Sequence, residues 1–480
     1  MRRLLGRHRV LAVGIGTLLS VTTLLATPSI AAANHGIGLE EGSQSPATPT
    51  DMRVISGASD LPADCNAAAD ATGRKGEERE PVVAVNPRDH KNVVAVWEAD
   101  WQDGLVVATS FDEGNTWTKV VPPGLMPGCN DKVMYNGAIN PVLAFSEDGT
   151  LYLSSFLGNN SLTGAIAVNV STDGGLTWSD RKSVISVTSP QHVDATYLAT
   201  DPSSPGTAYV AWNYSVGLQL DRTMEFSRTT DGGQTWSAPQ PIGPAQLTDT
   251  QFMCTLNVLR DGKLLATFER GAVTDDNLTL YSTTSSDGGN SWSDPLSMAS
   301  IPSSFADDDS YRGATDPVHP VPSTVTASNG TISTIWALVI SHKSSQVWMT
   351  SSRDDGGSWS TPAVAFEDSS EVLDLTAGIG NNGDPGVIYY DFRNDQTSGD
   401  DVLLTDLWFN KPCGSPGTWC ETHLAGPFDA DKMPNDAIEE TFGDYEGVAA
   451  VPSGFVVVGT VVTGSPVTGP SDILFGFIQQ

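Results

Sequence analysis

The chain has 480 residues, with 57 Asp and Glu against 25 Lys and Arg, a formal net charge of −32 and a pI of about 4.3. A surface this acidic repels nucleic acid and anionic membranes, so neither is an expected partner. An anionic substrate would have to be held by a local group of arginines against the field of the whole protein.

The N-terminus reads as a secretory signal. Four arginines lie within the first nine residues, an apolar run follows from Val10 to about Ala26, and Ala31 and Ala33 supply an A-x-A cleavage site. The first 33 residues carry these four arginines and no acidic residue, so their removal brings the net charge to −36. We expect a secreted, extracellular monomer with a signal peptide, a flexible segment and one domain, over residues 1–33, 34–50 and 51–480.

An acidic, glycine-rich turn ending in tryptophan recurs through the domain. The pattern [ST]-x-D-x-G-x-[ST]-W occurs five times, at 110–117, 171–178, 229–236, 285–292 and 352–359. Its aspartates are Asp112, Asp173, Asp231, Asp287 and Asp354. The Asp carboxylate can accept backbone N–H bonds across the turn, the glycine allows a positive φ, and the tryptophan can pack against a sheet. These residues are therefore predicted to be structural.

The spacing of the turns predicts the fold. The five tryptophans are 56 to 67 residues apart, and a degenerate sixth copy, "CGSPGTWC", follows at 413–420. Each period also holds three short apolar segments, such as "PVVAV", "NVVAVW" and "LVVATS" in the first. Four short antiparallel strands per period, without helical periodicity, are typical of a β-propeller blade.

The number of blades follows from arithmetic. Residues 50–480 give about 61 residues per blade for seven blades, which matches the period, and about 72 for six. Three strand-like segments follow the sixth copy, and the N-terminal "MRVISGA" (52–58) can supply the fourth strand and close the ring. We predict an all-β propeller of seven four-stranded blades, with six blades as the alternative.

Five cysteines are present, and secretion permits disulfides. Cys413 and Cys420 bracket a loop short enough for a disulfide to close. Cys65 and Cys129 form a second candidate pair, which leaves Cys254 as a small apolar residue. No spacing in the sequence supports a zinc site.

The repeated turn is the Asp box, or BNR repeat, and over residues 80–480 the chain resembles the sialidase superfamily. Its late segments "VIYYDFRND" (387–395), "GPFDA" (426–430) and "FGDYEGVAA" (442–450) are similar to secreted bacterial BNR-repeat proteins labelled sialidase-like. In sialidases three arginines bind the substrate carboxylate, a tyrosine helped by a glutamate is the nucleophile, and an aspartate is the acid/base.

The resemblance implies site residues in this chain. Arg79, in Arg79-Glu80-Pro81, stands where the family has the Arg-x-Pro arginine that opens the first blade, and Asp103 in "WEADWQDG" stands near the acid/base position. Further candidate arginines lie in or near loops that can face the central axis: Arg270, Arg312 and Arg393. Glu269 is a candidate helper of the nucleophile, which is Tyr390 or Tyr445. Each of these residues can also serve as an ion pair, a turn residue or an aromatic packed at the channel mouth.

A second set of polar residues lies at or near the starts of the blades' first strands: Glu80, Asn140, Asp194, Asp316 and Asp444. Those strands line the channel of a propeller, so a ring of oxygen ligands there is a candidate Ca²⁺ site, although no cofactor is required.

Three functions remain open. The first is an exo-acting, retaining sialidase-like hydrolase that releases terminal sialic acid or a related acidic sugar from glycans. The second is a non-catalytic propeller that binds a glycan or a protein. The third is another glycan-active enzyme, such as a polysaccharide lyase. The sequence favours the first.

Overall fold

In the computed structural model, the described residues are 52–479 apart from 64, 66–68, 70–72, 131–134, 159–162, 218–221, 245–250, 271–276, 303–321, 342, 381, 396–401, 434–441 and 444. The predicted signal peptide and the flexible N-terminal segment lie outside them.

Seven four-stranded antiparallel sheets form the propeller, which confirms the predicted fold and the preferred blade number. Blades 1 to 3 consist, from the channel outward, of β2–β5 (Arg79–Val85, Val93–Ala99, Gly104–Ser110, Thr118–Val120), β6–β9 (Gly137–Phe145, Leu151–Gly158, Thr163–Ser171, Lys182–Thr188) and β10–β13 (Gln191–Thr200, Ala208–Val216, Thr223–Thr229, Gln240–Pro241). Blades 4 to 6 consist of β14–β17 (Gln251–Val258, Leu264–Arg270, Asn277–Ser285, Leu296–Pro302), β18–β21 (Ser323–Thr326, Ile332–Ser341, Ser344–Ser352, Ala363–Asp368) and β22–β25 (Val372–Ile379, Pro385–Asp391, Leu404–Pro412, Trp419–Asp429).

The seventh blade closes the ring with strands from both ends of the chain. It consists of β26 (Gly447–Val451), β27 (Gly454–Ser465), β28 (Gly469–Gln479) and, outermost, β1 (Arg53–Val54). Arg53 pairs with Phe475 and Val54 with Leu474, so the N-terminal segment supplies the missing strand as predicted. The first strands of neighbouring blades contact one another all the way round, including β26 against β2. The described residues also form a short helix α1 (Pro127–Asn130) and a 3-10 turn (Ala430–Lys432).

The hydrophobic core lies between blades rather than within one sheet. Second and third strands such as β3 and β4 are buried along their whole length, because both faces of each sheet meet a neighbouring sheet. One cluster, for example, joins Val93 and Trp97 of blade 1 to Val458 and Phe475 of blade 7. Burial on both faces explains why these strands are nearly continuous apolar runs.

The Asp-box turns connect the third strand of a blade to the outer strand. In blade 3, Asp231 accepts bonds from the backbone N–H of Thr235 at 2.9 Å and from the hydroxyl of Thr229 at 2.8 Å. Hydrogen bonds from Thr235 and Thr229 lower the pKa of Asp231 to about 2. The other four boxes repeat these contacts, so their aspartates have the structural surroundings expected of them.

The box tryptophans reach across to the preceding blade. Trp117 of blade 1 packs edge-on against Phe475 of blade 7 at 5.0 Å, and Trp292 of blade 4 packs against Phe226 of blade 3 at 6.0 Å. The indole N–H of Trp359 donates to the hydroxyl of Ser282 in blade 4 at 2.9 Å. The turn therefore joins two blades, a role that the sequence motif alone does not reveal.

Two disulfides are formed. Cys65 and Cys129, with Cα atoms 4.7 Å apart, tie the N-terminal segment to α1. Cys413 and Cys420, 5.7 Å apart, close the turn of blade 6 where the Asp box has degenerated. Cys254 lies in β14.

Candidate functional site

The two ends of the propeller carry different features. Each inner strand begins, and each second strand ends, at the same end of its blade, because consecutive strands are antiparallel. The Asp-box turns follow the third strands and so lie at the opposite end. Arg79, at the start of β2, therefore belongs to the end without Asp boxes, which we call the upper end.

Several inner strands share a backbone irregularity at the upper end. The strand register shifts near the start of the inner strands of blades 1, 2, 3 and 6. A non-glycine residue with positive φ lies at each shift: Glu80 (51°), Asn140 (49°), Ala195 (54°) and Asp374 (49°). Such backbone costs on the order of 1–3 kcal/mol per residue and is concentrated at functional sites. We therefore place the candidate site at this upper mouth.

Arg79 is held by a buried glutamate. Its Nε donates to Oε2 of Glu98 at 3.1 Å, and Arg79 is only 7% exposed. Burial alone would lower the pKa of Arg79, but the negative charge of Glu98 beside it raises the pKa instead. Within the described part of the chain, no hydrogen bond occupies the two terminal nitrogens of Arg79. The guanidinium is thus oriented and charged, with its outer edge available to an anion.

Glu80 and Asn140 complete this group across the boundary of blades 1 and 2. The backbone N–H of Asn140 donates to Glu98 Oε1 at 2.9 Å, and its Nδ2 donates to Glu80 Oε2 at 3.2 Å. Burial, and then the charge of Glu98, raise the pKa of Glu80 well above its usual value. We call Arg79, Glu80, Glu98 and Asn140 the mouth cluster.

Blade 7 brings Tyr445 to the mouth cluster. The backbone N–H of Glu80 donates to the carbonyl oxygen of Phe442 at 3.4 Å, and a Cβ on Gly443 would lie 2.3 Å from Glu80 Cγ. Tyr445 follows directly, and its hydroxyl donates to the carbonyl oxygen of Pro141 at 3.1 Å. Tyr445 is only partly buried, so its hydroxyl, bound to that carbonyl oxygen of blade 2, is the more accessible of the two candidate nucleophiles.

Tyr390, the other candidate nucleophile, is fully enclosed between blades 6 and 7. It is 0% exposed and stacks on Phe442 at 4.5 Å. Its hydroxyl makes a short contact with Glu446 and lies 2.8 Å from the carbonyl oxygen of Thr460. Burial raises the pKa of Tyr390 well above its usual value. In this arrangement Tyr390 cannot reach a substrate.

Arg393 is saturated by acidic side chains. Its guanidinium donates to Asp368 at 2.5 Å, to Glu421 at 2.6 and 2.8 Å, and in a shorter contact to Asp391. Its carbon Cζ also lies 4.0 Å from the ring centroid of Trp408. Burial raises the pKa of Asp368 to about 7, against the opposing effect of Arg393. The structure thus holds Arg393 in an ion-pair network between blades 5 and 6.

Glu269 and Arg270 lie on blade 4, three blades round the ring from Arg79. Glu269 is 1% exposed, its Oε1 has no hydrogen-bond partner among the described residues, and burial raises its pKa to about 8. Its side chain lies on the same face of β15 as that of Thr267, whose hydroxyl is 2.9 Å from that of Thr324 in blade 5. Arg270 lies over the ring of Tyr281 at 5.4 Å. Neither residue has a contact with the mouth cluster.

The remaining candidates have mixed outcomes. Asp103 is partly buried in the turn between β3 and β4, beside Asp100, which binds the backbone N–H of Gly76 at 2.6 Å. Arg312, Asp316 and Asp444 lie outside the described residues. Asp194 forms an ion pair with Arg222 at 3.3 Å rather than joining Glu80 and Asn140. Where the chain is described, no group of three or more His, Cys, Asp or Glu side chains is arranged to hold a metal ion.

Glu98 was not among the sequence candidates, although it organises the mouth cluster. The available signal is its position in the strand "VVAVWEA", where all seven residues are buried. A carboxylate in such a strand requires partners, since an unpaired buried charge is costly. That requirement marks Glu98 as a residue bound to a cation or to several N–H donors.

No protein-family model matches the sequence, and no curated protein matches it. Similar solved structures include the Hadza microbial sialidase Hz136, with 16% identity, TM-score 0.46 and coverage of 81% of this chain and 73% of that chain. The α-L-arabinanase of Penicillium chrysogenum complexed with arabinobiose has 16% identity, TM-score 0.45 and coverage of 70% and 94%. The leech intramolecular trans-sialidase has 13% identity, TM-score 0.39 and coverage of 85% and 68%. At these identities and TM-scores the likeness does not identify a substrate for this chain.

None of the helices described is both long enough and apolar enough to cross a bilayer.

Proposed function

We propose that the protein is a secreted, glycan-active hydrolase of sialidase type, exo-acting and retaining, which removes a terminal acidic sugar. The observation that carries this proposal is the state of Arg79: buried, charged, oriented by Glu98, and with its terminal nitrogens unoccupied by the described residues. A guanidinium in that state suits a carboxylate, which it can bind through two parallel N–H bonds.

Tyr445 supplies the second element of the proposal. A tyrosine is a suitable nucleophile for a sugar that carries its own carboxylate, because a neutral hydroxyl is not repelled by that charge. Its hydroxyl donates to the carbonyl oxygen of Pro141, the residue that follows Asn140 of the mouth cluster. We assign Tyr445, rather than the enclosed Tyr390, to attack on the anomeric carbon. Asp103 and Glu80 are the carboxyl groups of blade 1 considered for proton transfer.

The experiment is hydrolysis of a fluorogenic sialoside by the purified mature chain. Arg79→Ala removes two charge-assisted hydrogen bonds to the substrate carboxylate, a loss of about 3 kcal/mol, or roughly 100-fold in kcat/KM. The matched control is Arg88→Ala, because Arg88 is exposed just after β2 at the opposite end and its side chain binds only the carbonyl oxygen of Asp148 among the described residues. Tyr445→Phe should abolish turnover while a sialic acid product still binds.

Three results would contradict the proposal. Equal loss of activity in Arg79→Ala and Arg88→Ala would mean that Arg79 has no special role. Full activity in Tyr445→Phe would remove the nucleophile. No hydrolysis by a folded wild-type chain would exclude the sialidase activity, and the same samples would then be tested for lyase products by ultraviolet absorbance and for binding on a glycan array.

A further inference from the structure

The mouth cluster contains two buried carboxyl groups, those of Glu80 and Glu98. Glu98 has more hydrogen-bond donors around it than Glu80. Glu98 accepts the N–H of Asn140 on one oxygen at 2.9 Å and the guanidinium Nε of Arg79 on the other at 3.1 Å. Both oxygens of Glu98 therefore face donors, one of which is a cation, as an ionised carboxylate requires.

Glu80 has no such set of donors. Among the described residues, its Oε2 accepts only the side-chain N–H of Asn140, at 3.2 Å, and the backbone N–H of the same asparagine binds Glu98, so Asn140 holds both carboxyl groups. Two buried carboxyl groups that share one asparagine and one cation favour a single negative charge, so one of them holds a proton. Because Arg79 neutralises Glu98, the proton belongs on Glu80, which is 6% exposed.

The groups that face this pair come from five strands or segments. Arg79 lies beside Glu80 on β2, Glu98 is on β3, and Asn140 is on β6. Glu77 precedes β2 and forms its own ion pair with Arg74 at 3.6 Å. From blade 7 the pair meets uncharged groups, the backbone of Phe442 and Gly443. The described surroundings thus supply one cation, Arg79, to the two carboxyl groups.

We propose that Glu80 is a neutral carboxylic acid at neutral pH and is the proton donor to the leaving oxygen of the glycosidic bond. This inference rests on the proposed hydrolase function. It assigns the acid to Glu80 rather than to Asp103, because Glu80 is the carboxyl of blade 1 that a second, ionised carboxylate holds in its protonated form beside Arg79.

The reaction balances with these residues and one water molecule. As the bond between the anomeric carbon and the leaving oxygen breaks, its electron pair stays on the oxygen, which takes the proton of Glu80. Tyr445 Oη bonds to the anomeric carbon and its phenolic proton passes to water. In the second half, a water oxygen bonds to the same carbon, one water proton returns to Glu80, and the tyrosine oxygen leaves and regains a proton from solvent.

The test uses Glu80→Gln in the full mature chain, with sialosides that differ in leaving group. The amide keeps a donor toward Glu98 and an acceptor for Asn140, but it has no proton to transfer. A sugar leaving group needs that proton, so kcat/KM should fall about 100- to 1,000-fold, whereas a phenol-type leaving group should lose less than about tenfold. The fall of wild-type activity at alkaline pH should also disappear in the variant. Glu147→Gln, on an exposed turn, is the control.

A second measurement does not depend on turnover. The infrared difference spectrum between wild type and Glu80→Gln should contain the carbonyl band of one protonated carboxyl group at neutral pH. Absence of that band overturns the proposal, and so does an equal loss of activity for both leaving groups, which would make Glu80 a purely structural residue. If the wild type hydrolyses no sialoside, the hydrolase function and the donor role both fail, and the infrared band alone decides the protonation of Glu80.

Discussion

The buried contact between Tyr390 and Glu446 leads to a prediction about stability rather than catalysis. The tyrosine oxygen lies 2.8 Å from the carbonyl oxygen of Thr460 and in short contact with Glu446 Oε1, while the N–H of Thr460 donates toward it at 3.0 Å. The hydroxyl of Tyr390 has one proton to donate, and the carbonyl oxygen of Thr460 has none. If the tyrosine donates to the carbonyl, the contact with Glu446 requires a proton on Glu446 itself.

Burial raises the pKa of Glu446 well above its usual value, and the charge of Asp374 raises it further. The folded protein therefore holds a proton that the unfolded chain releases at a pKa of about 4.3. Folding binds more protons in this window, so stability falls as the pH rises from there toward the folded-state pKa. The slope for one proton is about 1.4 kcal/mol per pH unit.

Glu446→Gln isolates this contribution. The amide can donate to Tyr390 and accept from Thr460, as the protonated acid does, but it does not titrate. Urea unfolding from mildly acidic to mildly alkaline pH should show the wild type losing stability relative to the variant by about 1.4 kcal/mol per unit. Glu78, Glu80 and Glu269, whose pKa values burial also raises, contribute equally to both proteins and cancel in the difference.

The matched control for this series is Glu147→Gln, which changes an exposed glutamate and should follow the wild type at every pH. Parallel pH dependences of wild type and Glu446→Gln would refute the proton assignment. Tyr390→Phe should lower stability by about 1–3 kcal/mol, because it leaves Glu446 Oε1 buried without its partner while Oε2 keeps the N–H of Thr460. It should leave the KM of any hydrolysis unchanged, because Tyr390 is shielded from substrate.

Two further predictions concern the framework. Arg393→Ala should cost about 3–5 kcal/mol in urea unfolding, because it leaves the carboxylates of Asp368, Asp391 and Glu421 without their cation; a raised KM with unchanged stability would instead make Arg393 a substrate ligand. Replacing Cys65 and Cys129 by serine should cost about 4 kcal/mol and replacing Cys413 and Cys420 about 2.5 kcal/mol, because their sequence separations are 64 and 7. The reverse order in thermal or urea unfolding would contradict a loop-entropy origin.

The fold was predictable from sequence because its signals are local and repeated. Each Asp box places its donors and acceptors within eight residues, and the spacing of the boxes gives the number of blades. One repeated contact was missed: the serine after the tryptophan, as in Trp236-Ser237, accepts the backbone N–H of Arg228 at 3.0 Å. The dipeptide Trp-Ser recurs in four boxes and could have revealed it.

The site was less predictable because its partners come from different strands and blades. Tyr390 meets Glu446 across 56 residues, and Arg393 meets Glu421 across 28. No local motif encodes those distances, so the sequence could not distinguish a residue facing the channel from one enclosed between sheets. Glu80 shows the same limit, because its position in Arg79-Glu80-Pro81 says nothing about the carboxylate of Glu98.

Comparison of Arg79 with Arg393 shows what separates a binding arginine from a structural one in so acidic a protein. Both lie close to several carboxyl groups, and neighbouring carboxylates, Glu98 for Arg79 and Glu421 for Arg393, raise the pKa of each. The guanidinium nitrogens of Arg393 bind three carboxylates and the guanidinium plane packs on Trp408, so these contacts leave no donor for a ligand. Arg79 bonds to Glu98 alone among the described residues. With Glu80 assigned as a neutral acid, no second carboxylate competes for Arg79. A neutral Glu80 would therefore also leave the positive charge of Arg79 available to bind an anionic sugar.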